Sequence, residues 1–119
     1  MMKKTCFVLM SALMLAACGG AGSNDAAKSP EQDPDYVAGK DLVAKSDCAT
    51  CHKVDEQYTG PSFKMIAAKY PYNAESFELL ANKIIKGGTG VWGQVPMIPH
   101  ASLNHDDAVK MVKYILKNK

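Results

Sequence analysis

Arginine is absent from this sequence, and neither sign of charge is in large excess. The 14 basic residues are all lysines, and 12 acidic residues bring the formal net charge to +2. A nucleic-acid-binding domain is usually far more basic, so we expect no nucleic-acid partner. A chain of 119 residues is also too short for a multidomain enzyme. The sequence has no internal repeat and no strand pattern of useful length.

An uncharged, mostly apolar run near the N-terminus covers residues 5–17. It is too short for a membrane-spanning helix, which needs about 20 apolar residues. Lys3 and Lys4 precede the run and small residues follow it, which is the layout of a secretory signal. We therefore predict that residues 1–17 are a signal peptide and that Cys6 is removed with it.

A second cysteine stands where the signal peptide ends. The sequence Leu-Ala-Ala-Cys-Gly at residues 15–19 resembles a bacterial lipobox, in which cleavage occurs just before a cysteine that receives a diacylglycerol. The resemblance implies lipidation of Cys18 and an anchor at a bacterial membrane, where three acyl chains would hold the protein firmly. The alternative is ordinary signal cleavage nearby, with Cys18 as a free or crosslinking thiol.

The residues after Cys18 predict a flexible tether. Up to Pro34 the chain contains no large apolar side chain, so this segment cannot bury enough surface to fold. We therefore divide the chain into a signal peptide at 1–17, a lipidated cysteine and tether at 18–34, and a folded domain at 35–119. A domain this small has a marginal core, and we expect a cofactor to supplement it.

The two remaining cysteines lie in the sequence Cys-Ala-Thr-Cys-His at residues 48–52. C-x-x-C-H is the motif of c-type haem attachment, in which two thiols add to the haem vinyl groups and the histidine ligates the iron. We therefore predict one haem c, attached through Cys48 and Cys51 and ligated by His52. A thioredoxin-like motif would need a preceding strand. A zinc site would need two further ligands, for which two other histidines are available.

The second axial ligand of the iron decides the function. Two strong ligands make an electron carrier, whereas one protein ligand leaves a site for oxygen, nitric oxide or peroxide. The candidates are Met65, Met97, Met111, His100 and His105. Met65 and Met111 lie in helical patterns, where methionine usually fills the core, and His105 is expected in solvent. Met97 lies in a loop stiffened by two prolines, so we predict that Met97 is the ligand.

Residues 36–117 as a whole resemble the class I cytochromes c, specifically the short, single-haem bacterial type that carries electrons to terminal oxidases or nitrite reductase. The resemblance implies an all-α, class I cytochrome c fold with about four helices packed around one covalently bound haem. Besides the haem motif, it rests on segments 60–64, 67–70, 83–88, 90–93, 96–97 and 106–107 in their family order.

The resemblance also implies roles for two residues near the haem. The carbonyl of Pro61 accepts a hydrogen bond from His52 and so fixes the ring, and the indole N–H of Trp92 donates to a haem propionate. One departure follows the axial methionine, where relatives usually have Pro-Pro-Asn and this chain has Ile-Pro-His at residues 98–100. We expect His100 at the surface or beside the ligand, where it could donate an equivalent hydrogen bond or compete for the iron.

Apolar spacing predicts four helices. Gly39 in the first helix should allow another helix to approach closely, Gly87 should end the third helix, and Asn104 should cap the last. The last helix should bury a stripe that begins at Ala108 and keep its lysines, Lys113 among them, on the solvent side. The predicted helices span residues 36–45, 62–69, 74–86 and 106–118.

These features predict an electron-transfer protein rather than an enzyme. Iron would cycle between ferric and ferrous while His52 and Met97 stay bound, and redox partner proteins would dock transiently at an exposed haem edge. The alternative is a haem peroxidase or gas-binding sensor with a labile distal ligand, for which His100 is the nearby polar group. We expect an exported monomer, lipid-anchored at the bacterial membrane, with the haem domain in the periplasm or on the cell surface.

Overall fold

The computed structural model describes residues 29–119, which form four α-helices. The predicted signal peptide, Cys18 and most of the predicted tether lie outside the described residues. Within residues 29–119 no strand forms, and an isolated antiparallel bridge joins Gly88 to Met97. The predicted all-α fold class is confirmed. The helices are α1 (Pro34–Lys45), α2 (Phe63–Lys69), α3 (Ala74–Lys86) and α4 (His105–Leu116), and 3-10 turns occur at Pro30–Gln32 and Asp47–Thr50.

Helix α1 begins two residues earlier than its apolar spacing indicated. Pro34 occupies the first turn, where the missing N–H has no helical partner to lose. Asp33 caps the helix by accepting a hydrogen bond from the backbone N–H of Asp35 at 3.0 Å. The 3-10 turn Pro30–Gln32 precedes this cap. Helix α1 therefore includes Pro34, which precedes the domain boundary predicted at residue 35. The pair Asp33-Pro34 is typical of a tether, but here it starts a helix.

Helices α1 and α4 pack closely at Gly39. A Cβ atom at this position would lie 2.0 Å from the carbonyl oxygen of Lys110, so only glycine permits the approach. The expectation for Gly39 is confirmed. Beside the crossing, Lys113 of α4 pairs with Asp35 of α1, and its side chain is 25% exposed. The prediction that Lys113 lies on the solvent side is therefore wrong. Helix α1 crosses over this position and covers most of the side chain.

The core lies among α1, α2, α3 and α4, and α4 contributes most to it. Met111, Val112 and Leu116 of α4 are each at most 2% exposed. Burial of one such side chain stabilises the fold by about 1.5–3 kcal/mol. Met111 fills the core as predicted, and Met65 is half-buried. The buried apolar residues are Val43, Phe63, Ile66, Ala67, Ala81, Ala108, Met111, Val112, Ile115 and Leu116.

Capping side chains set the ends of the other helices. Ser62, Asn73 and Asn104 begin α2, α3 and α4, and each accepts a hydrogen bond from the backbone N–H three residues later, at 3.1, 2.9 and 2.8 Å. The predicted cap at Asn104 is confirmed. Gly87 ends α3 with a φ of 73°, as its position predicted. None of the helices in residues 29–119 has the length and apolar character needed to cross a membrane.

Candidate functional site

A cleft of about 270 Å³ opens between the helices and the loops that follow α1 and α3. Its walls are mostly apolar and include Phe63, Ile66 and Ile115, which also belong to the core. Among the described residues, Met65, Met111 and His105 do not line this cleft. The sequence-predicted residues that do line it are Cys48, Cys51, His52, Pro61, Trp92, Met97 and His100.

The segment from Cys48 to His52 begins within the 3-10 turn that follows α1. The backbone N–H groups of Cys51 and His52 donate to the carbonyl of Cys48 at 3.1 and 2.8 Å, which closes the turn. Both cysteines are half-buried and unpaired with each other. Burial, and to a smaller extent the charge of Asp47, raises the pKa of Cys48. A thioredoxin-like motif follows a strand, whereas this segment follows helix α1, so the fold argues against the thioredoxin alternative.

The geometry also gives no support to the zinc alternative. Residues 29–119 contain no group of three or more His, Cys, Asp and Glu side chains that could hold a metal ion. The two histidines considered as ligands pair with carboxylates instead. Nε2 of His100 lies 3.0 Å from Asp47, and Nε2 of His105 lies 3.0 Å from Glu78. The side chain of His105 is 43% exposed, in agreement with its expected place at the surface.

Two contacts, and the space left by a glycine, fix the imidazole of His52. Its Nδ1–H donates to the carbonyl of Pro61 at 2.7 Å, which is the contact that the family resemblance implied. The ring of Phe63 lies within 22° of parallel, with centroids 6.1 Å apart. A Cβ atom on Gly60 would lie 2.7 Å from Cε1 of His52, so glycine leaves room for the ring. With Nδ1 as the donor, Nε2 of His52 carries the lone pair.

Met97 reaches the cleft from the loop after α3. Its backbone N–H donates to the carbonyl of Gly88 at 2.8 Å, and the N–H of Gly88 donates back at 3.2 Å. The absence of a side chain on Gly87 lets the loop pass closely, because a Cβ there would lie 2.5 Å from the carbonyl oxygen of Met97. These backbone contacts position Met97 without using its thioether.

Trp92 lines the cleft, and a lysine that the sequence did not indicate lies near its ring. Nζ of Lys69 is 5.5 Å from the centroid of the Trp92 ring and 6.0 Å from that of Tyr70. Lys83 lines the cleft itself. Because the chain has no arginine, an acidic group beside the cleft would be met by lysines, of which Lys69 and Lys83 are two. Lys83 could have been predicted near the cleft because it precedes the apolar Ile84 in the last turn of an amphipathic helix.

These residues fit a covalently attached haem. Two thiols lie beside an oriented imidazole, a thioether from another segment lines the same cleft, and the remaining wall is largely apolar. Imidazole and thioether are the axial ligand pair of cytochromes c, and an apolar surround limits the access of water.

The profile of the family described as "Cytochrome c" matches residues 36–119. The chain belongs to the cytochrome c family. It is a small, single-haem class I cytochrome, as the sequence predicted, and it carries one covalently bound haem c. It is an electron-transfer protein rather than an enzyme, which confirms that prediction as well. The relatives of this group are periplasmic or exported cytochromes c.

Three relatives illustrate the similarity in sequence. Cytochrome c-552 of Nitrosomonas europaea is 42% identical over 79 residues, which cover 66% of this chain and 77% of the relative. Cytochrome c-551 of Allochromatium vinosum is 41% identical over 83 residues, or 70% of this chain and 88% of the relative. Cytochrome c-551 of Pseudomonas aeruginosa is 37% identical over 78 residues, or 66% and 74%.

Solved structures share the fold. The crystal structure of wild-type Nitrosomonas europaea cytochrome c552 superposes with a TM-score of 0.62 at 41% identity, covering 67% of this chain and 99% of that one. The class 1 cytochrome MtoD from Sideroxydans lithotrophicus superposes with a TM-score of 0.58 at 26% identity, covering 71% and 96%. The class I cytochrome c fold predicted from the sequence is confirmed.

Proposed function

We propose that this cytochrome is a lipid-anchored, one-electron shuttle whose haem is attached through Cys48 and Cys51 and whose iron is held by His52 and Met97. The observation that carries the ligand set is the convergence of four side chains on one cleft. Three of them come from one short segment, and Met97 comes from a loop beyond two further helices. Electron transfer by an iron with two permanent ligands requires this kind of convergence.

The side chains of the cleft prepare it for rapid electron transfer. Haem c, when bound, supplies a ferric–ferrous couple that gains or loses one electron. The contacts of His52 with Pro61 and Phe63 hold the imidazole in place, so little rearrangement accompanies a change of charge. The thioether of Met97 is a soft ligand that favours the reduced state. Apolar walls act in the same direction, because they disfavour additional positive charge.

We propose that the haem propionates would be held by Trp92, by Lys69 near its ring and by Lys83 on the wall of the cleft. The indole N–H of Trp92 is a donor that a propionate can accept from, and the ammonium groups of Lys69 and Lys83 supply the opposite charge. Lysine acts as a point charge without the bidentate geometry of arginine, so the indole would supply the directional contact to a propionate.

Redox partners would dock beside the cleft. Val91, Val95 and Ile98 belong to the loop that carries Met97, and they are 46%, 63% and 62% exposed. A small apolar rim of this kind suits a transient contact, and Lys83, which lines the same cleft, would add steering by charge that weakens with salt. The partners we propose are a reductase and an oxidase that meet the monomeric cytochrome in turn.

The proposed ligands can be tested by the same substitution at two methionines. Ferric protein should show a weak near-infrared charge-transfer band from methionine bound to iron, and Met97→Leu should abolish it. Met111→Leu should retain the band, because Met111 is in the core and outside the cleft. A band that survives Met97→Leu would contradict the assignment of Met97.

The same spectra test the peroxidase or gas-sensor alternative. That alternative requires an open iron site with a free polar group beside it. The imidazole of His100 instead lies within hydrogen-bond distance of Asp47 and of the carbonyl of Ile84. Wild-type ferric protein without the near-infrared band and with rapid cyanide binding would favour the alternative and contradict the electron-carrier assignment.

The proposed anchor rests on the N-terminal sequence. Residues 1–17 would direct export, and a lipid on Cys18 would hold the haem domain at the membrane in the periplasm or on the cell surface. Cys18→Ser should release the cytochrome into the soluble fraction. Cys6→Ser is the matched control and should leave the membrane fraction unchanged, since Cys6 leaves with the signal peptide. Membrane retention of Cys18→Ser would contradict the anchor.

A further inference from the structure

Two sets of contacts hold the loop that carries Met97. Toward α3, the backbone of Met97 pairs with Gly88, and the N–H of His100 donates to the carbonyl of Ile84 at 3.1 Å. Toward the haem-attachment segment, the contact comes from a side chain. Nε2 of His100 lies 3.0 Å from Oδ1 of Asp47, the residue immediately before Cys48. The two contacts of His100 therefore join the loop to both neighbouring segments.

The side chain of His100 has a defined orientation. Its Nδ1 lies 3.3 Å from the carbonyl oxygen of Ile84, so both ring nitrogens face oxygen atoms. The imidazole is 25% exposed, and the carboxylate of Asp47 is 61% exposed. The ring is thus held between the end of α3 and the turn that precedes Cys48.

The loop between Met97 and His100 has little packing of its own. Ile98 is 62% exposed, and Pro96 and Pro99 are exposed as well. Segments with few buried contacts depend on their hydrogen bonds for local stability. Pro99 also restricts the backbone between the two residues, so a displacement of His100 is transmitted to Met97 rather than absorbed.

We propose that His100 is a positioning residue for Met97. Its contact with Asp47, which we name the His100–Asp47 strap, ties the Met97 loop to the haem-attachment segment and slows the departure of the thioether from the iron. This inference rests on the proposed ligand pair. Because Asp47 is largely exposed, the strap contributes modestly, and we expect its loss to increase the rate of Met97 displacement about two- to fivefold.

The experiment uses the haem-loaded cytochrome in its ferric state with imidazole as the displacing ligand. Stopped-flow mixing measures the rate at which the near-infrared band disappears, which is a measure of methionine release. Asp47→Ala and His100→Ala should each increase this rate, and the double variant should increase it no further than the larger single effect. Such non-additivity is expected when both substitutions remove one contact. His100→Gln, which retains a donor toward Asp47, should restore part of the wild-type rate.

His105→Ala provides the matched control. His105 also pairs with a carboxylate at 3.0 Å, that of Glu78, but it lies outside the cleft. Its loss should leave the displacement rate within twofold of wild type. Unchanged rates in Asp47→Ala and His100→Ala, additive effects in the double variant, or an equal effect of His105→Ala would each overturn the strap. Wild-type protein without the band would instead overturn the proposed ligand pair, so the two failures are distinguishable.

Discussion

Replacing Gly60 with alanine should disturb the imidazole of His52 while leaving the helical core in place. The added Cβ would lie 2.7 Å from Cε1 and 3.0 Å from Nδ1 of His52. Gly60 does not have a positive φ, so the strain comes from this contact and not from the backbone. The ring has little freedom to turn away, because Pro61 and Phe63 hold it on other sides.

The expected magnitude follows from the two ways in which the site can respond. If the ring stays, overpacking costs about 1–3 kcal/mol, and if it moves, the hydrogen bond from Nδ1 to Pro61 is lost at a cost of about 0.5–1.5 kcal/mol. Each kcal/mol lowers the Tm of a domain of this size by about 4–8 °C. A weaker hydrogen bond also makes His52 less basic and destabilises ferric iron. If the ferric form is destabilised by about 1 kcal/mol more than the ferrous form, the potential rises by roughly 40 mV.

Thermal unfolding and a redox titration of the haem-loaded protein measure both effects. Gly39→Ala is the control, because its Cβ would meet the carbonyl of Lys110 at 2.0 Å, at the α1–α4 crossing and not at His52. We expect a lower Tm for both variants and a raised potential for Gly60→Ala alone. A wild-type potential and Tm in Gly60→Ala would refute the reasoning, and an equal shift of potential in Gly39→Ala would assign the effect to general loosening.

Two further predictions concern the scaffold. The hydrogen bond with Asp35 raises the pKa of Lys113, so this pair contributes fully below the unfolded lysine pKa of about 10.4 and is lost as the pH rises through the folded value. In urea unfolding, Asp35→Asn should lower stability by about 0.5–1 kcal/mol at pH 7 and by less at pH 11, and an equal loss at both pH values would contradict this. At Met111, replacement by alanine should cost about 2–5 kcal/mol and replacement by leucine less than about 1.5 kcal/mol. Similar costs for the two would show that Met111 does not fill the core.

Several parts of the fold were predictable because they depend on local sequence. Helix α3 spans the predicted residues 74–86, since an amphipathic run ends at a glycine that readily adopts a positive φ. The cap at Asn104 and the close approach at Gly39 follow from single residue types. Lys113 was predicted wrongly, because the pattern of α4 alone does not reveal that α1 crosses above this position.

The candidate site also contains some residues that the sequence reveals and others that only the folded chain reveals. Cys48, Cys51 and His52 are recognisable as candidates because the C-x-x-C-H motif places two thiols and an imidazole within five consecutive residues, so no distant residue is needed to identify them. Lys69 and Lys83 were missed because a lysine near the end of a helix is common. Only the folded chain shows that Lys83 lines the cleft and that Lys69 lies 5.5 Å from the Trp92 ring. The contact of His100 with Asp47 could not be predicted either, because the two residues lie on different segments of the chain.

The sequence by itself determined the family, the cofactor and the all-helical fold, because short motifs and apolar periodicity are properties of neighbouring residues. Only the tertiary structure decided how these parts act together. It brings Met97 to the cleft that His52 lines, and it turns His100 to Asp47 and Lys113 to Asp35. These contacts join residues far apart in the chain, and they arise from the packing of helices and the path of a loop, which local patterns do not encode.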